Sequence, residues 1–304
     1  MTTETGDGDQ RRRISRLVFR CVSRFLVEEA ARLIAVHDRD FVRAMIFLAV
    51  RQATRAGQEA RSVSVRAIAQ SLMLPYETTR RKILELEDRG YVVRVSAQGV
   101  AAAPHVLDSP EVREAGRATA QAVVATMAEL KALGVDLMAN VPAPTQAPVD
   151  PARLDLEVGQ LVEDFMLRAL EAGVEPHGSM LDALVYTAMM IANADPIVRD
   201  PEIAWRYSGA DTPPPDTVRR PVTIAELSQR LSIPRETMRR RVTRMLELDR
   251  CESVRGGYLS SMTFMQSEAL LSAGVKINQR FGQLVQSLRQ VGFDVDGGAA
   301  KPPA

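Results

Sequence analysis

Apolar residues recur at helical spacing along the chain, and one stretch of that pattern occurs twice. Ser64, followed by Val65, Ile68 and Leu72, reads as a capped short helix. Thr79, Ile83 and Leu86 then fall on one side of a second helix over about 76–88. Setting Pro75 on Pro234 puts Thr223, Ile224, Leu227 and Leu231 on the first set, and Met238, Val242 and Met245 on the second, over about 235–248. "TIAE", starting at Thr223, is a capping box in which Glu226 reaches back. A gapless match at one offset, 159 residues, over more than twenty positions is an internal repeat.

The repeat extends both ways. Downstream, "GYVVRVSAQGVAAA" reads as two short strands about a turn at Ala97, Gln98 and Gly99, and "CESVRGGYLSS" as a shorter hairpin around Gly256 and Gly257. Upstream, "VRAMIFLAV" (42–50) resembles "LDALVYTAM" (181–189), and "ELKALGVDL" (129–137) resembles "SLRQVGFDV" (287–295). Extra length in the second copy falls on "ADTPPPDTVRRP", where Arg219 and Arg220 serve either as an arm reaching phosphate or as part of a spacer. The expected layout is mainly α: residues 1–13 without structure, a first module at 14–138, a proline-rich linker at 139–153, a second module at 154–295, and an unstructured tail at 296–304.

Charge sharpens this picture. The net charge is only +1, but residues 61–95 carry +3 and residues 219–255 carry +5, which leaves −7 on the rest. Both basic islands coincide with the repeated block. Such a distribution is the electrostatic footprint of a polyanion-binding protein, whereas an isolated charge run is usually a solvated face. On the second helix of each pair the face opposite the apolar one presents Glu77, Thr78 and Arg81, or Glu236, Thr237 and Arg240. Arg80 and Lys82, or Arg239 and Arg241, flank it. A helix in the major groove needs this arrangement, with side chains for base edges in front and cations for phosphate on the shoulders. Arginine outnumbers lysine 35 to 4 throughout, so part of the preference for guanidinium is compositional.

Helix, turn, helix and hairpin in this order resemble the winged helix-turn-helix. "ETTRRKILELEDRGYVVR" and "ETMRRRVTRMLELDR" resemble the recognition helices of bacterial winged-helix regulators of the MarR, IclR and Crp-like kinds, over about forty residues in each copy. The resemblance implies two pseudo-equivalent modules, each with flanking helices and a small two-stranded β wing. It implies sequence-specific duplex DNA binding and transcriptional control in the cytoplasm, at the nucleoid. The DNA-facing set is then Tyr76, Glu77, Thr78, Arg80, Arg81, Lys82 and Arg94, with Arg235, Glu236, Thr237, Arg239, Arg240, Arg241 and Arg255 in the second copy. Asp249 departs from the pattern, because it stands where a glycine usually precedes the wing. A fused tandem copy could build within one chain the dimer that such proteins form from two.

Other classes fit less well. Cys21 and Cys251 belong to no CxxC, the three histidines are isolated, and no metal site or cofactor is expected. No phosphate loop, GxSxG or HExxH is present, so no catalytic residue is assigned and no enzyme is expected. Aromatic content of 5% leaves few platforms for stacking single strands. No secretory signal or membrane span is expected, since the longest apolar run is 44–50. A tandem winged-helix scaffold for protein partners and a plasmid-type replication initiator remain as alternatives, and so does association of two chains. "LVYTAMMIANA" (184–194) reads as core rather than as an effector pocket.

Overall fold

The computed structural model describes residues 4–55, 62–96, 99–139, 141–145, 149–198, 200–209 and 212–295; the expected tail at 296–304 and turn residues 97–98 lie outside them. The chain is mainly helical, with small antiparallel sheets. Its first half runs α1 (Glu4–Val36), α2 (Phe41–Thr54), β1 (Val63–Ser64), α3 (Val65–Ser71), α4 (Tyr76–Asp88), β2 (Val92–Arg94), β3 (Gly99–Ala102) and α5 (Pro110–Ala132). The second half runs α6 (Pro151–Ala172), α7 (Val174–His177), α8 (Met180–Val198), α9 (Pro201–Arg206), α10 (Ile224–Arg230), α11 (Arg235–Glu247), β4 (Cys251–Val254), β5 (Gly257–Ser260), α12 (Met262–Met265) and α13 (Glu268–Gln290). Residues 4–13, expected without structure, belong to α1. Once a helix is nucleated each added residue gains a backbone bond, and α1 is anchored further along by Leu17, Cys21 and Val22 in the core.

Equivalent positions adopt the same local structure. Ser64 accepts from the Ala67 amide, and Thr223 with Glu226 forms the capping box. The helices α3, α4, α10 and α11 all end in a Schellman arrangement with a left-handed residue, at Met73, Gly90, Ser232 and Asp249. In α4 the Tyr91 amide bonds the Leu86 carbonyl at 2.9 Å; in α11 the Arg250 amide bonds the Met245 carbonyl, also at 2.9 Å. Asp249, with φ 52°, therefore does what Gly90 does at φ 76°. A side chain in that region costs about 1 kcal/mol. Asp249→Gly is expected to stabilise the protein by that order in denaturant melts, and a destabilised variant would show that the Asp249 side chain contributes more than its backbone costs.

The hairpins are also equivalent. β3 pairs with both β1 and β2, and in the second half the bridge from Val222 to Tyr258 stands where β1 meets β3. Gly257 is required there, because a Cβ would lie 2.4 Å from the Val222 carbonyl oxygen. Thr54, at the end of α2, accepts from the Ala102 amide at 3.0 Å, and Asn193 in α8 accepts from the Ser260 amide at 2.9 Å. One polar side chain on the leading helix thus holds each hairpin. The 210–221 segment is neither a phosphate arm nor a loose spacer where it is described. Arg219 is buried, bonded to Ser260 and paired with Asp216 at 3.1 Å; Arg220 pairs with Glu226 at 2.7 Å and Asp195 at 3.7 Å.

Sequence halves are not spatial halves. α1 packs on α8 and α13 of the second half, and α6 packs on α2 and α5 of the first. This reciprocity is that of an isologous interface, made here within one chain. The Phe25 and Phe165 rings, at corresponding positions of α1 and α6, meet at 6.2 Å, and Phe281 of α13 packs edge-on against both. A single apolar core runs from Val18 to Val295 through both halves. Within it, α8 is the described helix with the length and apolarity of a membrane span, and most of its surface is buried in the protein.

Each half also encloses a histidine against two aromatic rings. His37 lies 4.6 Å from Phe47 and 5.2 Å from Tyr91; His177 lies 4.8 Å from Tyr186 and 5.4 Å from Phe264. Burial, with Arg43 and Arg51 nearby, lowers His37 from 6.5 to about 4, and burial beside Arg250 lowers His177 to about 3. Well above the ordinary value of 6.5 these rings are neutral in the folded and unfolded chain alike. Below it the unfolded chain takes up protons that the folded chain refuses, so stability falls as pH drops towards the folded values. The melting midpoint should fall between about pH 7 and about pH 5, and His37→Phe/His177→Phe should remove most of that fall. An unchanged slope in the double variant would place the acid sensitivity elsewhere.

Candidate nucleic-acid interface

α4 and α11 are each 13 residues long and start directly after a proline. Their inner faces are those expected from the periodicity: Thr79, Ile83 and Leu86 are buried in one, and Met238, Val242 and Met245 in the other. Their outer faces match position by position. Tyr76, Glu77, Arg80 and Arg81 are exposed with Thr78 half-buried, and Arg235, Glu236, Arg239 and Arg240 are exposed with Thr237 half-buried.

The three consecutive cations do not act alike. Arg80 donates to Glu77 at 3.0 Å, within α4. Arg239 and Arg240 both donate to Glu236, at 2.8 and 3.0 Å. The hydrogen bonds from Arg239 and then Arg240 hold the Glu236 carboxyl down at about 2, so it is ionised at any working pH. These pairs lie in water, where the median exposed ion pair contributes little, and they open at small cost. Arg81 makes no ion pair with a described residue.

Lys82 and Arg241 correct the expectation. Lys82, only 13% exposed at its side chain, pairs with Asp40 at 2.7 Å and Glu85 at 2.8 Å. Arg241, 32% exposed, pairs with Asp182 at 3.3 Å. Each follows the buried Thr79 or Met238 by three residues, which turns it towards the body of the protein. Asp40 caps α2 and Asp182 sits in the first turn of α8, so each third cation pins its helix to the start of the preceding core helix. The outward shoulder is therefore Arg80 or Arg239 alone.

No family model, curated protein or solved structure matches the chain.

In the hairpins, Arg94 is exposed and pairs back to Glu87 of α4 at 2.8 Å. Arg255 is exposed in the two-residue turn between β4 and β5. The first hairpin loop is longer, since its last pair is Arg94 with Val100. Sequence reasoning missed Arg244, which is exposed on α11 four residues after Arg240 and so extends its outer stripe. Helical spacing alone would have found it. Its counterpart in α4 is Glu85, which pairs inward with Lys82 and Arg43, so the second helix presents the more basic face. Arg39, between α1 and α2, donates to the Ser232 and Ile233 carbonyls at 3.4 and 3.2 Å and ties the α10–α11 turn to the first half.

Proposed function

We propose that the chain is a sequence-reading duplex DNA-binding regulator of transcription. Its two winged helix-turn-helix modules are built as a pseudo-dimer within one polypeptide, and α4 and α11 are the recognition helices. The observation that carries this reading is the matched outer face of the two helices, with Glu, Thr and two arginines at the same positions above the same buried pattern. Thr78 with Arg81, and Thr237 with Arg240, suit base edges, and Arg80 with Arg239 suits phosphate. Arg94 and Arg255 would reach backbone from the wings.

Titration of the protein onto an arbitrary duplex tests the electrostatic part. The logarithm of the affinity should fall linearly with the logarithm of salt between about 50 and about 200 mM, with a slope of roughly −0.9 per phosphate contacted. Absent binding at the lower salt, or an affinity indifferent to salt, would overturn the reading. Exposed Tyr76 and Leu84 on α4 favour the second reading, a surface for a protein partner, and a salt-indifferent partner complex would support it.

A further inference from the structure

The duplication that made two equivalent helix pairs also made two equivalent cavities between the halves, and they have diverged. One lies among α1, α2, α5 and α6 and has a volume of about 520 Å3. Its counterpart, among α6, α8, α13 and α1, has been reduced to about 20 Å3. The correspondence is residue by residue: His37, Phe47 and Gly116 line the first where His177, Tyr186 and Gly274 line the second. One exchange largely accounts for the difference. α6 crosses α5 at Gly159, which lies against Gly116, whereas α1 carries Phe19 at that place and its ring lies against Gly274. The open cavity also holds polar side chains that the closed one replaces by apolar ones. Glu29, Arg51 and Thr119 stand opposite Ala169, Met190 and Ile277.

We infer that the first cavity is a binding site for one small, uncharged amphipathic organic molecule per chain, with an apolar body of about two rings and a hydroxyl or carbonyl that bonds His37. The volume is that of an ordinary ligand pocket. The charge is set by the lining. Every guanidinium there already has a carboxylate: Arg32 pairs with Glu29 at 2.7 Å, Arg51 and Arg55 pair with Glu163, and Arg89 pairs with Asp38. An anionic ligand would have to displace one of them. Beyond those pairs, His37, which lines the cavity and is 1% exposed, has neither ring nitrogen hydrogen-bonded, and Arg55, already paired with Glu163, leaves its Nε without a partner. The neutral imidazole has one donor and one acceptor to offer, and leaving both unmet in a buried site is costly. A hydroxyl satisfies either. Phe47 and Tyr91, packed on His37, supply an aromatic wall. The site does not depend on DNA binding, and its test reads the ligand directly.

The probe is 1-naphthol, which is uncharged at neutral pH, titrated calorimetrically into the full-length protein beside naphthalene and 1-naphthoate. Saturable binding of naphthol at one site per chain, tighter than naphthoate, is expected. His37→Phe keeps the ring and removes its hydrogen bonds, so it should weaken naphthol about tenfold and leave naphthalene unchanged. Val112→Trp, or Ala115→Trp if the first fails to fold, should fill the cavity from α5 and abolish both. Three results would overturn the assignment: no saturable binding of naphthol, binding untouched by the filling variant, or naphthoate binding as tightly as naphthol.

Discussion

On the proposed DNA-reading role, Arg81→Ala combined with Arg240→Ala is expected to lose selectivity for the preferred duplex while the protein stays folded. A guanidinium that sits bidentate on a base edge contributes about 1–3 kcal/mol of discrimination. The two sit on separate helices with no shared partner, so their effects add, to a loss on the order of 2–6 kcal/mol. Both side chains are exposed, and stability should change by no more than about 0.5 kcal/mol. Arg80→Ala with Arg239→Ala should behave differently. Affinity falls by a similar factor on every sequence, and the salt slope loses roughly one unit per contact removed. Equilibrium titrations on the preferred duplex and a scrambled one separate the pairs. A double Arg81/Arg240 variant as selective as the parent would remove these helices from the groove.

The second large effect concerns the body of the protein. Glu163 of α6 is 12% exposed at its side chain and pairs with Arg51 of α2 and with Arg55, which caps that helix, across the two halves. Burial lowers the Arg51 guanidinium to about 10. Glu163→Ala leaves two buried cations facing each other beside a cavity and should cost about 3–5 kcal/mol in a denaturant melt. The counterpart site shows how the loss is relieved. There Ser23, Met190 and Ala194 stand in place of Glu163, Arg51 and Arg55. Arg51→Met/Arg55→Ala/Glu163→Ser should therefore recover most of the stability, because an ion pair replaced whole by apolar groups is close to neutral. A single variant that costs under about 1 kcal/mol would mean that water in the cavity solvates the guanidiniums well enough without Glu163.

The helix pairs and hairpins were legible because their determinants are local. Caps, apolar spacing and left-handed turn residues lie within a few positions of one another, and a repeat exposes them twice. The same register placed Tyr76, Glu77, Arg80 and Arg81 of α4, and Arg235, Glu236, Arg239 and Arg240 of α11, on exposed faces. What depended on partners distant in the chain was not legible. Lys82 and Arg241 lie at the edge of the buried face by periodicity, and only the position of Asp40 and Asp182 at the head of α2 and α8 decides that they turn inward. Arg219 and Arg220 read as free cations until Ser260, Asp195 and Glu226 come beside them. The match of α1 to α6 was hidden by a change of offset, 140 residues there against 159 in the helix pairs, and by unlike apolar residues such as Leu26 and Met166 at equivalent places. The interleaving of the halves, and the cavity it leaves at Gly159, follow from that match alone.

Selection of randomised duplexes by the full-length protein at near-physiological salt tests the central claim most directly. If α4 and α11 read DNA together as proposed, the selection should enrich a two-part site whose halves lie about one helical turn apart, roughly ten base pairs. Recovery of no preferred sequence, or of a single short half-site unaffected by Arg81→Ala or by Arg240→Ala, would contradict it.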